Sequence, residues 1–193
     1  MNFLAHFFLS RQRDEWLLGS FLADYLRNPA VRSLPAELQT GVWLHRRIDT
    51  YTDQHPEVLK GVRRLYAAHG KYAPVVIDVF YDYFLAINWG RFTEEPLEGF
   101  TRRVYALLQR NTAHMPPRLQ QNLPLMVADD WLRSYGTHNG IAYAFERMKR
   151  RVSRPEQLDG ALDSMLRDQE QLDAEFRRFF PDVIALVEQE FPH

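Results

Sequence analysis

Apolar residues recur every three or four positions along most of the chain, which is the spacing of amphipathic α-helices. We find no convincing runs with a period of two residues and no Asn-Gly or Asp-Gly hairpin between apolar segments, so strands are not indicated. The pattern predicts helices at about residues 2–9, 14–26, 35–53, 56–68, 72–90, 96–109, 115–131, 141–152 and 155–180. A last short helix is expected after Pro181, ending near Phe191. The predicted fold class is therefore all-α.

The most apolar segment covers residues 72–90, where Asp78 and Asp82 are the only charged side chains. Pro74 suits a first helical turn and Gly90 suits a C-terminal end, so we expect one buried helix. Residues four positions apart lie on the same helix face, which places the two carboxylates one turn apart. Buried like charges must be neutralised or paired, and the segment holds no basic residue. Their partners must therefore come from other helices.

Further ionisable residues interrupt apolar helix faces elsewhere in the chain. They are His6 in FLAHFF, Asp24 in SFLADYL, and His45 and Asp49 in WLHRRID. The last two are four residues apart, so their side chains can converge on one ion. Imidazole combined with carboxylates suits Mn, Fe or Zn, whereas oxygen ligands alone would favour Mg or Ca. A divalent metal held inside a helical bundle is one solution to these buried charges.

Each of these residues also has an ordinary structural interpretation. A single histidine in an apolar run, such as His6, is more often a core residue with a backbone partner. Asp24 could pair with Arg27, and Arg46 or Arg47 could neutralise another aspartate. His45 and Asp49 could likewise pair with each other.

Asp53 lies one turn further along the helix face that carries His45 and Asp49, but it comes just before His55-Pro56. We therefore expect it to cap the next helix rather than to bind metal.

Composition narrows the class of protein. The 193 residues are enough for one domain, which we expect to span residues 1–193. Lys plus Arg (24) nearly balance Asp plus Glu (25), so the whole chain carries no charge signature for nucleic acid or membrane.

The absence of cysteine excludes disulfides and thiolate chemistry. Glycine-rich phosphate loops and a Gly-x-Ser-x-Gly motif are also lacking. With no signal peptide or apolar span, we expect a soluble cytoplasmic protein.

Basic clusters are interpreted mainly as solvated helix faces, although one near a metal could hold a phosphate or an acidic partner. These clusters are Arg46-Arg47, Arg63-Arg64, Arg102-Arg103 and Lys149-Arg150-Arg151.

Four segments carry a resemblance to a known family: MNFLAH, GSFLADYLR, GVWLHRRIDTYTD and IDVFYDYFLAINW. Together they resemble the acyl carrier protein phosphodiesterases, also called acyl carrier protein hydrolases, most specifically over residues 1–90. That family is a divergent branch of the HD metal-dependent phosphohydrolases. The resemblance implies an HD-like helical fold and a divalent metal, Mn²⁺ first, with Mg²⁺ or another ion possible. It also implies removal of 4′-phosphopantetheine from holo acyl carrier protein, leaving a free serine.

The pattern and the resemblance together assign roles to nine residues. The expected metal ligands are Asp24, His45, Asp49 and Asp82; the expected catalytic residues are Asp78 and His6; the expected substrate contacts are Arg46, Arg47 and Tyr83. The metal would activate a water for attack on phosphorus, with Asp78 as base or orienting residue. Tyr83 stands where we expect a histidine in many members, which points to a difference in rate or metal preference.

Two other functions fit the residue pattern. One is a metal phosphohydrolase acting on a nucleotide or another small phosphoester. The other is a non-enzymatic helical binding module whose acids pair with arginines and hold no metal.

Because carrier proteins are acidic as a class, the resemblance further predicts a basic rim near the cleft.

Overall fold

The computed structural model describes residues 1–192, and their regular structure is helical, which confirms the predicted all-α class. The α-helices are α1 (Phe3–Leu9), α2 (Asp14–Leu22), α3 (Asn28–Arg32), α4 (Ala36–Gln54), α5 (Pro56–His69), α6 (Ala73–Ile87), α7 (Leu97–Arg110), α8 (Pro117–Ala128), α9 (Trp131–Ser134), α10 (His138–Lys149), α11 (Ala161–Arg167) and α12 (Gln169–Glu190). No strand occurs within this described part of the chain. Across residues 1–192, no helix is both long and apolar enough to cross a bilayer.

α6 forms the centre of the fold because its sequence is apolar on nearly every face. It packs against α1, α5, α10 and α12. Its rings join those of α12 in one aromatic core, where Tyr81 and Phe84 contact Phe176 at ring-centroid distances of 5.3 and 6.1 Å. Burial of such large rings is the main favourable contribution to folding.

The backbones of α2 and α4 touch at two glycines. A Cβ atom added to Gly19 would lie 2.2 Å from the carbonyl oxygen of Leu38, and one added to Gly41 would lie 2.3 Å from that of Trp16. No side chain fits at either position without a shift of backbone. This close approach brings the polar residues that follow on the two helices next to each other.

The helix predicted over residues 14–26 is shorter than expected. α2 ends at Leu22, whose carbonyl oxygen accepts from the backbone N–H groups of both Tyr25 and Leu26 in a turn. Pro29 follows in the first turn of α3, where its missing N–H is not needed. As a result, Asp24 lies in a turn at the end of α2 rather than on a helix face.

The segment predicted as one helix over residues 115–131 is divided in two. α8 ends at Ala128, and Asp130 adopts the left-handed conformation, with φ of 44°, before Trp131 begins α9. Aspartate tolerates this conformation better than most residues. Tyr105 donates a hydrogen bond of 3.0 Å to the Asp130 carboxylate and so holds the break in place.

The prediction of a helix over 155–180 that ends before Pro181 is also wrong. Residues Pro155–Leu158 form a 3-10 turn, α11 follows, and α12 then continues through Pro181 to Glu190. α12 tolerates the proline because Val183 and Val187 are buried beyond it. Packing of this apolar face outweighs the missing backbone hydrogen bond.

Asp53 does not cap α5, contrary to the sequence-based expectation. It lies inside α4, and the Nδ1 atom of His55 accepts the N–H of Glu57 at 3.3 Å instead.

Candidate metal centre

α1 and α4 bring two imidazoles and a carboxylate together. The Nε2 atom of His6 lies 3.0 Å from Oδ1 of Asp49, and the Nε2 atom of His45 lies 3.2 Å from its Oδ2. Potential ligand atoms of these three residues all lie within 4.8 Å of one another. The turn after α2 adds Asp24, whose Oδ1 lies 3.2 Å from the same His45 nitrogen. We refer to His6, Asp24, His45 and Asp49 as the His–Asp cluster.

The two imidazoles of the cluster are stacked and differ in protonation. Their ring centroids are 3.8 Å apart with an angle of 14° between planes. Burial, together with the charge on His45, lowers the pKa of His6 to about 4. Burial also opposes a charge on His45, but Asp24 and Asp49 outweigh it and raise its pKa to about 9. His6 is therefore a neutral imidazole at pH 7, with a lone pair available to a ligand.

The donor set fits a divalent metal. Both ring nitrogens of His6 are buried and lack a hydrogen-bond partner, although Nε2 closely approaches Asp49. The Nδ1 atom of His45 lies 3.3 Å from Oγ of Ser20 on α2, so its Nε2 atom is left facing the carboxylates. Metal-bound histidines commonly have the second ring nitrogen held in this way. Two imidazoles with two carboxylates suit a first-row transition ion such as Mn²⁺, whose binding would release the proton of His45.

Asp78 lies one contact outside the His–Asp cluster. Its Oδ1 atom is 3.1 Å from the amino group of Met1, which also lies 3.4 Å from Oδ1 of Asp49. Burial raises the pKa of Asp78, and the neighbouring amino group opposes this shift. The structure thus connects Asp78 to Asp49 through a cation rather than directly.

Asp82 is fully buried and has a different environment from the other predicted ligands. Its Oδ2 atom accepts the backbone N–H of Leu4 at 2.8 Å, and its Oδ1 atom accepts that of Ala5 at 3.0 Å. These are donors from the first turn of α1, which have no partner within the helix. Asp82 therefore holds α1 against α6, next to His6, and is not part of the group of converging ligand atoms.

The two arginines predicted near the site point elsewhere. Arg46 donates to Asn28 Oδ1 at 2.8 Å, and Arg47 forms a bidentate ion pair with Glu190 at 2.7 and 2.8 Å. Neither arginine neutralises Asp78 or Asp82, so the alternative in which they pair with these aspartates does not hold.

Tyr83 is likewise not in the His–Asp cluster. Its hydroxyl group lies 3.1 Å from Nε2 of His138, at the start of α10. None of Arg46, Arg47 and Tyr83 lines the cavity beside the cluster, so the structure gives no support to their predicted contact with substrate.

A cavity of about 440 Å³ opens beside the cluster, and Asp24 forms part of its wall. Three arginines also line this cavity: Arg118 on α8, Arg147 on α10, and Arg151 just after α10. We refer to them as the cavity arginines. The guanidinium of Arg147 lies 3.6 Å from the ring centroid of Trp131, a cation–π contact on the cavity wall.

The cavity arginines do not stand out when basic residues are grouped by adjacency in the sequence. That grouping places Arg151 in a solvated cluster with Lys149 and Arg150. Helical spacing is the better signal, because Ala144, Arg147, Met148 and Arg151 follow an i, i+3, i+4, i+7 pattern and all line the cavity.

Comparisons with known proteins agree on one family. The acyl carrier protein phosphodiesterase family matches residues 1–183. The acyl carrier protein phosphodiesterase of Serratia proteamaculans is 33% identical over 188 residues, covering 95% of this chain and 96% of the relative. Those of Klebsiella pneumoniae strain 342 and Photorhabdus laumondii are 30% and 29% identical over 189 residues, covering 97% of this chain and 98% and 96% of the relatives. No solved structure matches the chain, so the expected HD-like fold stays a prediction.

Proposed function

The chain belongs to the acyl carrier protein phosphodiesterase family, and we propose from this that it hydrolyses the phosphodiester between 4′-phosphopantetheine and the serine of holo acyl carrier protein. Water supplies the oxygen of the new bond to phosphorus. The bond from phosphorus to the serine oxygen breaks, and that oxygen takes up a proton. The products are apo carrier protein and 4′-phosphopantetheine.

The position of Asp24 is the observation that carries this proposal. Its carboxylate contacts His45 within the His–Asp cluster and also lines the cavity. The cavity volume of about 440 Å³ lies in the range of small-molecule sites. A phosphate placed beside Asp24 would therefore face the cluster on one side and the cavity arginines on the other. This arrangement suits an anionic ester better than a neutral one.

We further propose that the His–Asp cluster holds a divalent metal, with Mn²⁺ as the first candidate. The proposed ligands are His6, Asp24, His45 and Asp49, so His6 replaces Asp82 in the set that the sequence predicted. A bound ion would act as a Lewis acid toward the phosphate and lower the pKa of a water at the site.

The protein's own groups keep the proposed ligands in position. Ser20 fixes the ring of His45, and Asp82 fixes the start of the helix that carries His6. Asp78, which stays a catalytic candidate, is better placed to orient Asp49 through the intervening amino group than to reach a substrate. Such outer contacts often decide how well a metal site functions.

Mass spectrometry of a carrier protein tests the proposed reaction. Holo acyl carrier protein incubated with the Mn²⁺-loaded protein should lose the mass of the phosphopantetheine arm, and excess chelator should prevent that loss. Asp49→Asn should reduce the rate by at least about 100-fold, because it removes the carboxylate that contacts both imidazoles. Asp163→Asn, an exposed aspartate on α11, is the matched control and should keep the wild-type rate.

Three outcomes would count against the proposal. Turnover that is unaffected by the chelator would contradict the metal. An unchanged carrier protein, with hydrolysis of members of a nucleotide panel, would favour the small-phosphoester function. Neither activity, together with far less than one equivalent of bound metal after Mn²⁺ loading, would favour the binding module.

A further inference from the structure

The cavity arginines lack acidic partners, unlike many other arginines of the chain. Arg47 and Arg64, for example, each form an ion pair of 2.7 Å with a glutamate. Within residues 1–192, no ion pair forms at Arg118, Arg147 or Arg151. Three positive charges around one cavity, with only Asp24 as an acidic residue in its lining, favour an anionic ligand.

Arg147 carries the strongest sign of a missing ligand. Its guanidinium carbon lies 3.6 Å from the ring centroid of Trp131 and 4.8 Å from that of Tyr143, so two aromatic rings contact it. Its Nη1 atom is buried and has no hydrogen-bond partner. A buried charged donor without a partner costs free energy. Because Arg147 lines the cavity and pairs with no acidic group, an anion in the cavity would compensate its charge.

The reaction changes the charge of the group that would lie here. The phosphodiester of the substrate carries one negative charge. The released phosphate monoester has a second ionisation near pH 6, by analogy with phosphoserine, and so carries about −1.5 to −2 at pH 7. A site with several guanidinium groups gains from each added unit of negative charge.

We propose that the cavity arginines bind the phosphate of 4′-phosphopantetheine and hold the released monoester more tightly than the diester, so that the product inhibits the enzyme. This inference rests on the proposed function and assigns the part of the site that recognises phosphate. It places product release, rather than substrate entry, under the control of Arg118, Arg147 and Arg151.

Calorimetric titration of chelator-treated protein tests the phosphate site without any need for turnover. The probes are 4′-phosphopantetheine, its phosphate methyl ester, pantetheine and inorganic phosphate. We expect 4′-phosphopantetheine to bind most tightly, the methyl ester more weakly, and pantetheine at least about 10-fold more weakly than 4′-phosphopantetheine. Inorganic phosphate should compete with 4′-phosphopantetheine, and raising the salt concentration should weaken both.

Variants then assign the binding to the arginines. Arg118 and Arg151 are exposed, so Arg118→Met and Arg151→Met should fold normally. Each should lower the affinity for 4′-phosphopantetheine by about 10-fold. Arg147→Lys keeps a charge on Trp131 but loses the planar fork, and should also weaken binding. Arg110→Met, an exposed arginine at the end of α7 outside the cavity, is the control and should bind as wild type.

The results separate this inference from the proposed function. Equal affinity for 4′-phosphopantetheine and pantetheine, or unchanged affinity in all three variants, overturns the phosphate site even if the carrier protein is hydrolysed. Tighter binding of the methyl ester than of the monoester overturns product retention. Selective binding of 4′-phosphopantetheine by a protein that leaves holo carrier protein intact refutes the proposed function but supports the phosphate site.

Discussion

Asp78 and Asp82 are one helical turn apart, yet the structure satisfies them in different ways. Asp82 accepts two backbone N–H groups from α1, whereas Asp78 pairs with the amino group of Met1. The sequence predicted partners from other helices, which is confirmed for Asp82, whereas the partner of Asp78 precedes α1. Arg46 and Arg47, the candidates that the sequence offered, are not the partners. Backbone donors leave no side-chain signature in a sequence.

His6 and His45 could be proposed as partners in one site because both interrupt apolar helix faces. Their stacking, and the contact of His45 with Ser20, could not be predicted. These contacts depend on how three helices pack, and the spacing of residues along one helix contains no such information.

The buried carboxyl of Asp82 should make stability depend on pH in an unusual direction. Burial, opposed by the two backbone donors, raises its pKa to about 7, while an unfolded aspartate titrates near 3.9. Between these pH values the folded protein binds more protons than the unfolded chain. The free energy of unfolding should therefore fall as pH rises from about 4 to 7, by up to about 1.4 kcal/mol per pH unit, and this contribution should level off above 7.

Urea denaturation of chelator-treated protein at pH 5 and 8, compared with Asp82→Asn, measures this effect. The other titratable groups near Asp82, namely Asp78, the amino group of Met1 and the phenol of Tyr135, remain in both proteins. The variant should therefore lose less stability than wild type between the two pH values. Parallel pH profiles for the two proteins would show that Asp82 does not titrate in this range.

At the scale of helices, sequence periodicity predicted the long amphipathic elements well. α4, predicted over 35–53, is found at Ala36–Gln54, and α5, predicted over 56–68, is found at Pro56–His69. Pro35 and Pro56 mark the starts of these two helices, and Gly70 follows the end of α5. The predictions failed where packing decides the end of a helix, as at Pro181, where buried residues on both sides keep α12 continuous.

The contact between α2 and α4 should be sensitive to a single methyl group. In Gly41→Ala the added Cβ would lie 2.3 Å from a carbonyl oxygen of α2, so the two helices must separate. We expect a loss of about 1–3 kcal/mol in the free energy of unfolding, the usual cost of overpacking. Because Ser20 and His45 meet across this contact, Mn²⁺ affinity should fall as well.

Gly99→Ala in α7 is the matched control, because nothing lies within 4 Å of its added Cβ. It should leave metal affinity unchanged and raise stability by up to about 1 kcal/mol, the difference in helix propensity between alanine and glycine. Urea midpoints and Mn²⁺ titrations of both variants give the comparison. Wild-type stability and affinity in Gly41→Ala would mean that the helices do not pack this closely.

For the whole molecule, the total charge conceals how charges are distributed. The chain carries a formal net charge of only −1, so its total charge indicates no particular partner. Arg147 and Arg151 are only four residues apart, but Arg118 lies on α8, and only the folded chain brings it to the same cavity. Their arrangement depends on contacts between distant segments, and composition cannot show it.

Docking of an acidic carrier protein should depend on basic residues outside the cavity as well. Arg150 and Arg154 are exposed and lie on either side of Arg151 and Val152, which line the cavity. A chain with almost no net charge attracts an acidic partner only through such a local surface. Reversing both charges, in Arg150→Glu with Arg154→Glu, should lower kcat/KM for holo carrier protein by about 10-fold at low salt, with little change in kcat. Arg63→Glu, an exposed arginine on α5 away from the cavity, should keep the wild-type kcat/KM.

Salt and a small ligand distinguish this docking surface from the phosphate site. Raising the ionic strength should reduce the difference in kcat/KM between wild type and the double variant, because exposed charges are screened over about 8–10 Å. The affinity of the double variant for 4′-phosphopantetheine should stay at the wild-type value, since neither substituted residue lines the cavity. Weaker binding of 4′-phosphopantetheine in the double variant would show that these arginines act on the cavity. An unchanged kcat/KM at low salt would place the carrier protein on another face of the molecule.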